Sequence, residues 1–319
     1  MRVRILGSAA GGGYPQWNCA CSNCRGLRSS AIRSRARTQS QAAVSSDGVN
    51  WHLLNASPDL RQQILNYPDL QAQPGPARNS PLKSVLLTNA DIDHTLGLLL
   101  LRESQPLKIY ATPLVGDLLQ ESNAYFRMLN QFDGHTDWQR LSAGERFELS
   151  GPEGFTVSAK RMASGITGEI YPLGGTPPFW AKNVPLAHQS RSPSIIGVIL
   201  ENTVGRRLGY FPGVAEINES LIRALSSCDI VLFDGTFWDD RELARLHPGS
   251  RTARQMQHVP ISGPEGSLAT LAVLPRHIRK IYTHINNTNP ILNEEGFEFR
   301  SVIESGWEIS YDGMEFMLE

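Results

Sequence analysis

Apolar residues gather in short unbroken runs along this chain, and turn residues separate the runs. RVRIL (2–6), QAAV (41–44), WHLLN (51–55), SVLLT (84–88), KIYAT (108–112), SIIGVILEN (194–202), DIVLF (229–233) and KIYT (280–283) are each too short for a helix. Such runs predict strands, and the continuously apolar SVLL predicts one buried on both faces. Between them lie segments with helical spacing. SPDLRQQIL opens with Ser57, a good N-cap, and Pro58, which suits a first helical position. TLGLLLLRE (95–103), PLVGDLLQ (113–120), INESLIRALSSC (217–228) and a stretch near 265–274 read the same way. Residues 71–82 form a Pro-rich linker, and an excursion over about 119–143 is expected to be helical. From about 144 to 215 the texture is β-rich, with RFELS, FTVSAKRM and LGYFPG. WEISYDGMEFML at the end reads as a final hairpin or strand. Strands and helices in this order fit an α/β (α+β) chain of two sheets between helices, read as one domain over 1–319. The β-rich middle argues against the rival, a single doubly wound sheet.

Charge narrows the function. Lys and Arg number 30 against 31 Asp and Glu, so no basic field favours nucleic acid. No segment approaches the roughly 20 apolar residues of a membrane span. The apolar run near Met1 is short for a secretory signal, and the expectation is a cytoplasmic protein without membrane insertion. Three of the four cysteines, Cys19, Cys21 and Cys24, fall within six residues, and the fourth is Cys228. In a chain of this kind such crowding favours a metal over a disulfide framework.

Four places carry candidate chemistry. SVLL ends at Asn89, Ala90, Asp91, Ile92, Asp93 and His94. Polar groups at the C-terminal end of a buried strand sit where α/β sites are found, and Asp91, Asp93 and His94 are near enough in sequence to meet on one cation. The alternative is a solvated turn with helix-capping aspartates. The strand KIYT ends in His284, followed by Asn286, Asn287 and Asn289, which also suit plain turn chemistry. Cys19, Cys21 and Cys24 can place three thiolates on one zinc. Structural zinc takes four ligands, so the fourth must come from Cys228, a histidine or an asparagine. Three free thiols are the alternative. The loop GSAAGGG has neither P-loop nor dinucleotide spacing and is read as permissive backbone near the substrate. Asp234 at the end of IVLF, His258 in QHVPISG and His188 in LAHQSRS each have a functional and an ordinary reading. His52, His135, His247 and His277 carry no functional expectation.

TNADIDHTLG, THINNTNP and CACSNC, with RILGSAAGGGYPQWNC, FDGTFW, HVPISG and GWEISYDGM, resemble one family over essentially the whole chain. It is the PqqB family, the B proteins of pyrroloquinoline quinone (PQQ) biosynthesis, within the metallo-β-lactamase superfamily. The resemblance implies an αββα sandwich of two mixed β-sheets flanked by helices. The superfamily pattern at the first site is Thr-His-x-His-x-Asp-His. Here Asn89 and Asp91 stand where its first two histidines would be, while Asp93 and His94 match. The late strand-end histidine corresponds to His284. Gly213, in LGYFPGV, fills the position of the carboxylate that bridges two metals. What remains is Asp93, His94 and His284, with Asp91 as an auxiliary ligand. One carboxylate and two histidines suit non-haem Fe(II) and oxygen, and zinc or manganese can occupy such a site. Asp234 and His258 would then orient ligands or move protons. Cys19, Cys21 and Cys24 resemble a structural zinc site whose fourth ligand in related phosphodiesterases is a histidine. Here that position is Asn287, with Cys228 as the other option. The activity implied is iron- and O2-dependent hydroxylation of the tyrosine ring of a small Glu–Tyr-derived PQQ precursor. One alternative is a carrier moving PQQ or its precursor toward the periplasm. A metal-dependent hydrolase is another.

Overall fold

A computed structural model describes residues 1–103, 105–131, 135–152, 163–185, 187 and 190–319. Its strands form two mixed sheets flanked by helices, the layer pattern expected. The chain divides into two compact units that interleave in sequence. The first holds Met1–Leu6, Gln41–Arg206 and Glu315–Glu319, and the second holds Gly7–Ser40 and Arg207–Met314.

The first unit is built on β1 (Arg2–Gly7), β2 (Gln41–Ser45), β3 (Trp51–Leu54), β4 (Leu82–Leu86), β5 (Leu107–Ala111) and β6 (Thr136–Arg140), with β14 (Glu315–Met317) outside β1. The spatial order is β14-β1-β2-β3-β4-β5-β6. β14 and β1 are antiparallel, with Val3 opposite Phe316, and so are β2 and β3. From β3 to β6 the strands are parallel, with Leu53 beside Val85, Val85 beside Ile109 and Ile109 beside Trp138. Every residue of β3 and β5 is buried. Leu53, Val85, Ile109, Leu114 and Leu118 share one core. The last two come from the helix Pro113–Ser122, which begins with proline and is capped by the Thr112 hydroxyl accepting from Val115 N at 3.3 Å.

The second sheet has an antiparallel run in the first unit: β7 (Arg146–Ser150), β8 (Ala163–Pro172) and β9 (Ile196–Glu201). Its strands in the second unit, β10 (Arg207–Phe211), β11 (Ile230–Asp234), β12 (Arg279–Thr283) and β13 (Trp307–Ile309), are all parallel. Parallel pairing puts the C-terminal ends of β11 and β12 at the same edge, with Asp234 beside Thr283. Buried rings fill this unit. Tyr282 stacks on Trp307 at 4.1 Å between centroids, and Phe233 meets the same indole edge-on at 6.1 Å.

Four sequence expectations need correction, and the first is the helix read from Ser57 and Pro58, which begins at Leu60 with Asp59 at its N-cap position. The helical excursion ends at Asn130, and Thr136–Arg140 is the strand β6. Its β-branched and aromatic residues, Thr136 and Trp138, pair with β5 instead of continuing a helix. The tail is not a hairpin, because β13 runs parallel to β12 while β14 runs antiparallel to β1. Finally, β4 begins at Leu82, inside the expected linker. The segment FTVSAKRM and His188 lie outside the described residues.

Candidate metal centres

In the first unit β4 runs out through buried Leu87 and Thr88 into Asn89, Ala90 and Asp91. A short helix, Ile92–Thr95, follows, with Asp91 at its N-cap position. This bend brings Asn89, Asp91 and His94 into one hydrogen-bonded group. Asn89 Oδ1 accepts from Asp91 N at 3.1 Å, and Asn89 Nδ2 donates to Asp91 Oδ2 at 2.7 Å. His94 Nδ1 lies 2.8 Å from the same Asn89 Oδ1. An amide oxygen only accepts, so the Nδ1 proton of His94 points at Asn89 and the lone pair sits on Nε2. Asp93 is half-buried on the same turn. The turn is anchored from behind. Asn55, at φ 68°, accepts from both Thr88 N and Thr88 Oγ1, at 2.9 and 3.0 Å. Ala56 N donates to His94 O at 2.7 Å, and Trp180 Nε1 donates to Ala90 O at 2.9 Å.

In the second unit Asp234, His258 and His284 offer ligand atoms that all lie within 4.8 Å of one another. Asp234 is wholly buried at the end of β11. Its Oδ2 accepts from Val214 N at 2.8 Å and faces His258 Nδ1 at 2.7 Å, while its Oδ1 accepts from Thr236 N and Thr236 Oγ1 at 3.0 and 2.6 Å. Burial by itself would raise this carboxyl. The facing His258, the bonds from His258 and Thr236 and the nearby His284 outweigh it, so the group sits below its ordinary range. Thr236 gives its hydroxyl proton to Asp234 and therefore accepts from His284 Nδ1, 2.8 Å away. His284 stands at φ 58°, and its ring stacks on His258 at 5.4 Å. Next to it, Ile285 is bonded in both directions to the glycine loop: Ile285 N donates to Ser8 O and Ala10 N donates to Ile285 O, each at 2.9 Å. The loop GSAAGGG thus supports the backbone just past His284, and its turn uses positive φ at Gly12 and Gly13.

The same unit gathers Cys19, Cys21 and Cys24, again with ligand atoms within 4.8 Å of one another. Cys21 caps the helix Ser22–Arg28 through its sulfur, which accepts from Cys24 N at 3.5 Å. Asn287 is the residue beside them, its Nδ2 3.3 Å from Cys24 Sγ and 3.8 Å from Cys21 Sγ. Cys228 lies elsewhere, its thiol directed at Ala224 O at 3.7 Å. Burial and the neighbouring sulfurs push the Cys21 thiol up to about 12. Cys19 is lowered: burial opposes this, but donors from Cys21, Cys24 and Asn287 reach its sulfur and win. Three thiols this close suit a soft divalent ion. The Asn287 amide meets the sulfurs with its nitrogen and would have to turn its oxygen inward to ligate.

Residues 50–285 match the family described as "Beta-lactamase superfamily domain". The chain is 41% identical to coenzyme PQQ synthesis protein B of Methylococcus capsulatus over the whole of both chains. It is 42% identical to the protein of that name from an Azoarcus species, over 98% of this chain and 99% of the other. The solved structure of zinc-bound PqqB from Methylobacterium extorquens covers all of both chains at 40% identity and a TM-score of 0.88. The chain belongs to the PqqB family. A diphosphatase of the PhnP family, 18% identical with a TM-score of 0.64, shares the fold alone.

The PqqB fold is the metallo-β-lactamase arrangement the motifs imply, and its residue groups suit a divalent metal. The structure places Asp91, Asp93 and His94 together on one strand-end turn. It joins His284 to Asp234 and His258 at another, and gathers the three cysteines with Asn287. Gly213 is followed by Val214, whose N–H serves Asp234. A Cβ on Gly213 would stand 3.6 Å from His258 Cε1, an ordinary contact, and its φ is not in the left-handed region. Nothing in the backbone there demands glycine. The asparagines after His284 are cross-links as well as turn residues. Asn289 Nδ2 donates to Gly235 O at 2.9 Å, and Asn23 Nδ2 donates to Asn287 O and Asn289 O at 3.2 and 2.8 Å. Sequence reading missed Thr236, Asn55, Trp180 and Asn23. Only Thr236 left a signal, a hydroxyl two residues past a strand-end aspartate in FDGTFW.

Proposed function

We propose that this chain, in its part in PQQ synthesis, is a mononuclear non-haem iron hydroxylase acting with O2 on the tyrosine ring of a small Glu–Tyr-derived precursor. Asp93, His94 and His284 would hold the iron, with Asp91 as an auxiliary oxygen ligand. The supporting observation is the fate of each donor position. Asn89 is occupied in hydrogen bonding to His94 and Asp91, and Gly213 has no side chain to bridge a second ion. One carboxylate and two imidazoles remain, a set that suits Fe(II) with open positions. Bound iron supplies the means of activating O2.

The chain's own groups have definable tasks. Asn89 and Thr236 each accept an imidazole Nδ1 proton, from His94 and His284 respectively, so both rings keep their Nε2 lone pairs for a metal. Asp234 fixes His258 by its Nδ1 and leaves His258 Nε2 to take or return a proton near the substrate.

The test is anaerobic loading of the purified protein with Fe(II), followed by Glu–Tyr dipeptide and O2, with mass spectrometry of the product. Oxygen incorporation that disappears in Asp93→Ala and His94→Ala is the expected outcome. Tight binding of the dipeptide or of PQQ with no oxygen incorporated would overturn the proposal in favour of a carrier. Anaerobic ester or phosphodiester cleavage would overturn it in favour of a hydrolase.

A further inference from the structure

The first turn of the candidate centre contains a buried amide that makes three hydrogen bonds, all to neighbouring polar groups. Asn89 is 5% exposed. Its side-chain orientation is not arbitrary, because Asp91 N can only donate and so the atom facing it at 3.1 Å must be oxygen. The same oxygen receives His94 Nδ1 at 2.8 Å, and the amide nitrogen donates to Asp91 Oδ2 at 2.7 Å. Asn89 therefore supplies the closer acceptor for His94 Nδ1, with Thr88 Oγ1 3.4 Å from the same atom, and holds Asp91 by one oxygen, which directs the other oxygen away.

We infer that Asn89 is a positioning residue: it fixes His94 in the Nδ1–H tautomer and aligns the Asp91 carboxylate, so that both present their ligand atoms to one metal. The inference rests on the reading of His94 and Asp91 as ligands. It gives the exchange of histidine for asparagine at this position a physical meaning. A neutral imidazole has a single acceptor nitrogen. It would not receive both the Asp91 N–H and the His94 Nδ1–H while donating to the Asp91 carboxylate. The amide does all three, and a ligand position becomes a support for the ligands that remain.

The decisive measurement starts with metal-free protein labelled with 15N at histidine, in which long-range proton–nitrogen correlations report the His94 tautomer. Fe(II) affinity is then measured anaerobically by competition with a chromophoric chelator. Wild type should show Nδ1–H at His94. Asn89→Ala should shift the ring toward Nε2–H and weaken Fe(II) by about 10- to 100-fold, the usual cost of losing a partner behind a metal ligand. Asn89→Asp keeps an accepting oxygen. It should retain the Nδ1–H tautomer yet bind Fe(II) more weakly, because it loses the bond donated to Asp91 and sets two carboxylates against each other. His94→Ala separates the two levels. If that variant binds Fe(II) as wild type does, the ligand reading itself fails. If it loses Fe(II) while Asn89→Ala keeps both the tautomer and the affinity, the positioning role is overturned. Should Asn89→Ala not fold, wild-type Fe(II) affinity in Asn89→Asp overturns it as well.

Discussion

Thr236 carries an unusual share of the second unit's polar contacts for one small side chain. Its hydroxyl donates to Asp234 and accepts from His284, with His258 Nδ1 also 3.1 Å away. Buried polar groups of this kind cost most when a single partner is removed. Thr236→Val keeps the shape and deletes the hydroxyl, leaving Asp234 Oδ1 with one fewer donor and His284 Nδ1 without its acceptor. Fe(II) binding by the variant should weaken about 10- to 100-fold. Chelator competition measures this directly. The residue scale is also where sequence reading is weakest. Asp234 and His284 are legible because each abruptly ends a buried apolar run. Thr236 shows only as a hydroxyl two residues past Asp234, because its role depends on β11 and β12 lying side by side, which places Gly235 N on Thr283 O and the hydroxyl beside His284.

At the scale of elements, the helical segment after Asp91 is held against the loop past β3 by a contact that tolerates no side chain. Gly97 N donates to Ala56 O at 2.9 Å, and a Cβ on Gly97 would meet Ser57 O at 2.3 Å and Ala56 O at 2.8 Å. The His94 carbonyl is bonded to Ala56 N in the same contact. Gly97→Ala should therefore push the segment outward, destabilise the protein by about 1–3 kcal/mol and lower its Fe(II) content. Urea unfolding and metal analysis of the one variant test both expectations. The spacing of TLGLLLL gives the helical segment but not this glycine's purpose. Helical periodicity shows which positions are apolar, not which position touches another backbone. The tail misled for a related reason. Residues 307–317 read as a hairpin or a strand, yet the partners of β13 and β14 come from β12 and β1, far apart in sequence. Local pattern predicts a strand far better than it predicts that strand's neighbour.

For the whole molecule, stability should depend on pH through a buried carboxyl that is not itself a candidate metal ligand. Glu242 is 5% exposed and accepts from Trp238 N at 2.6 Å and Thr288 Oγ1 at 2.5 Å. Burial outweighs these bonds and raises the group from 4.5 to about 7. Because the folded value lies above the unfolded one, its contribution is fully present below pH 4.5. It is lost as pH rises to about 7, by about 3 kcal/mol in all. Glu242→Gln removes that slope, since the Thr288 hydroxyl can turn to accept from the new amide. Relative to wild type, the variant should gain stability between about pH 4.5 and about pH 8, read from urea midpoints at the two ends. An unchanged difference between the two proteins would refute this.

The layers of the fold were readable from short apolar runs and their turn residues, and its superfamily from a few motifs at strand ends. The pairing of β13 and β14 and the web of asparagine amides were not, because both depend on residues that meet only after folding.

Gly213 bears on how such a protein changes over generations. Its φ lies outside the left-handed region, and a Cβ built there would meet His258 at ordinary contact distance. A single base change turns a glycine codon into an acidic one. A carboxylate at this position is therefore one mutation away, and its Cβ at least would meet no clash.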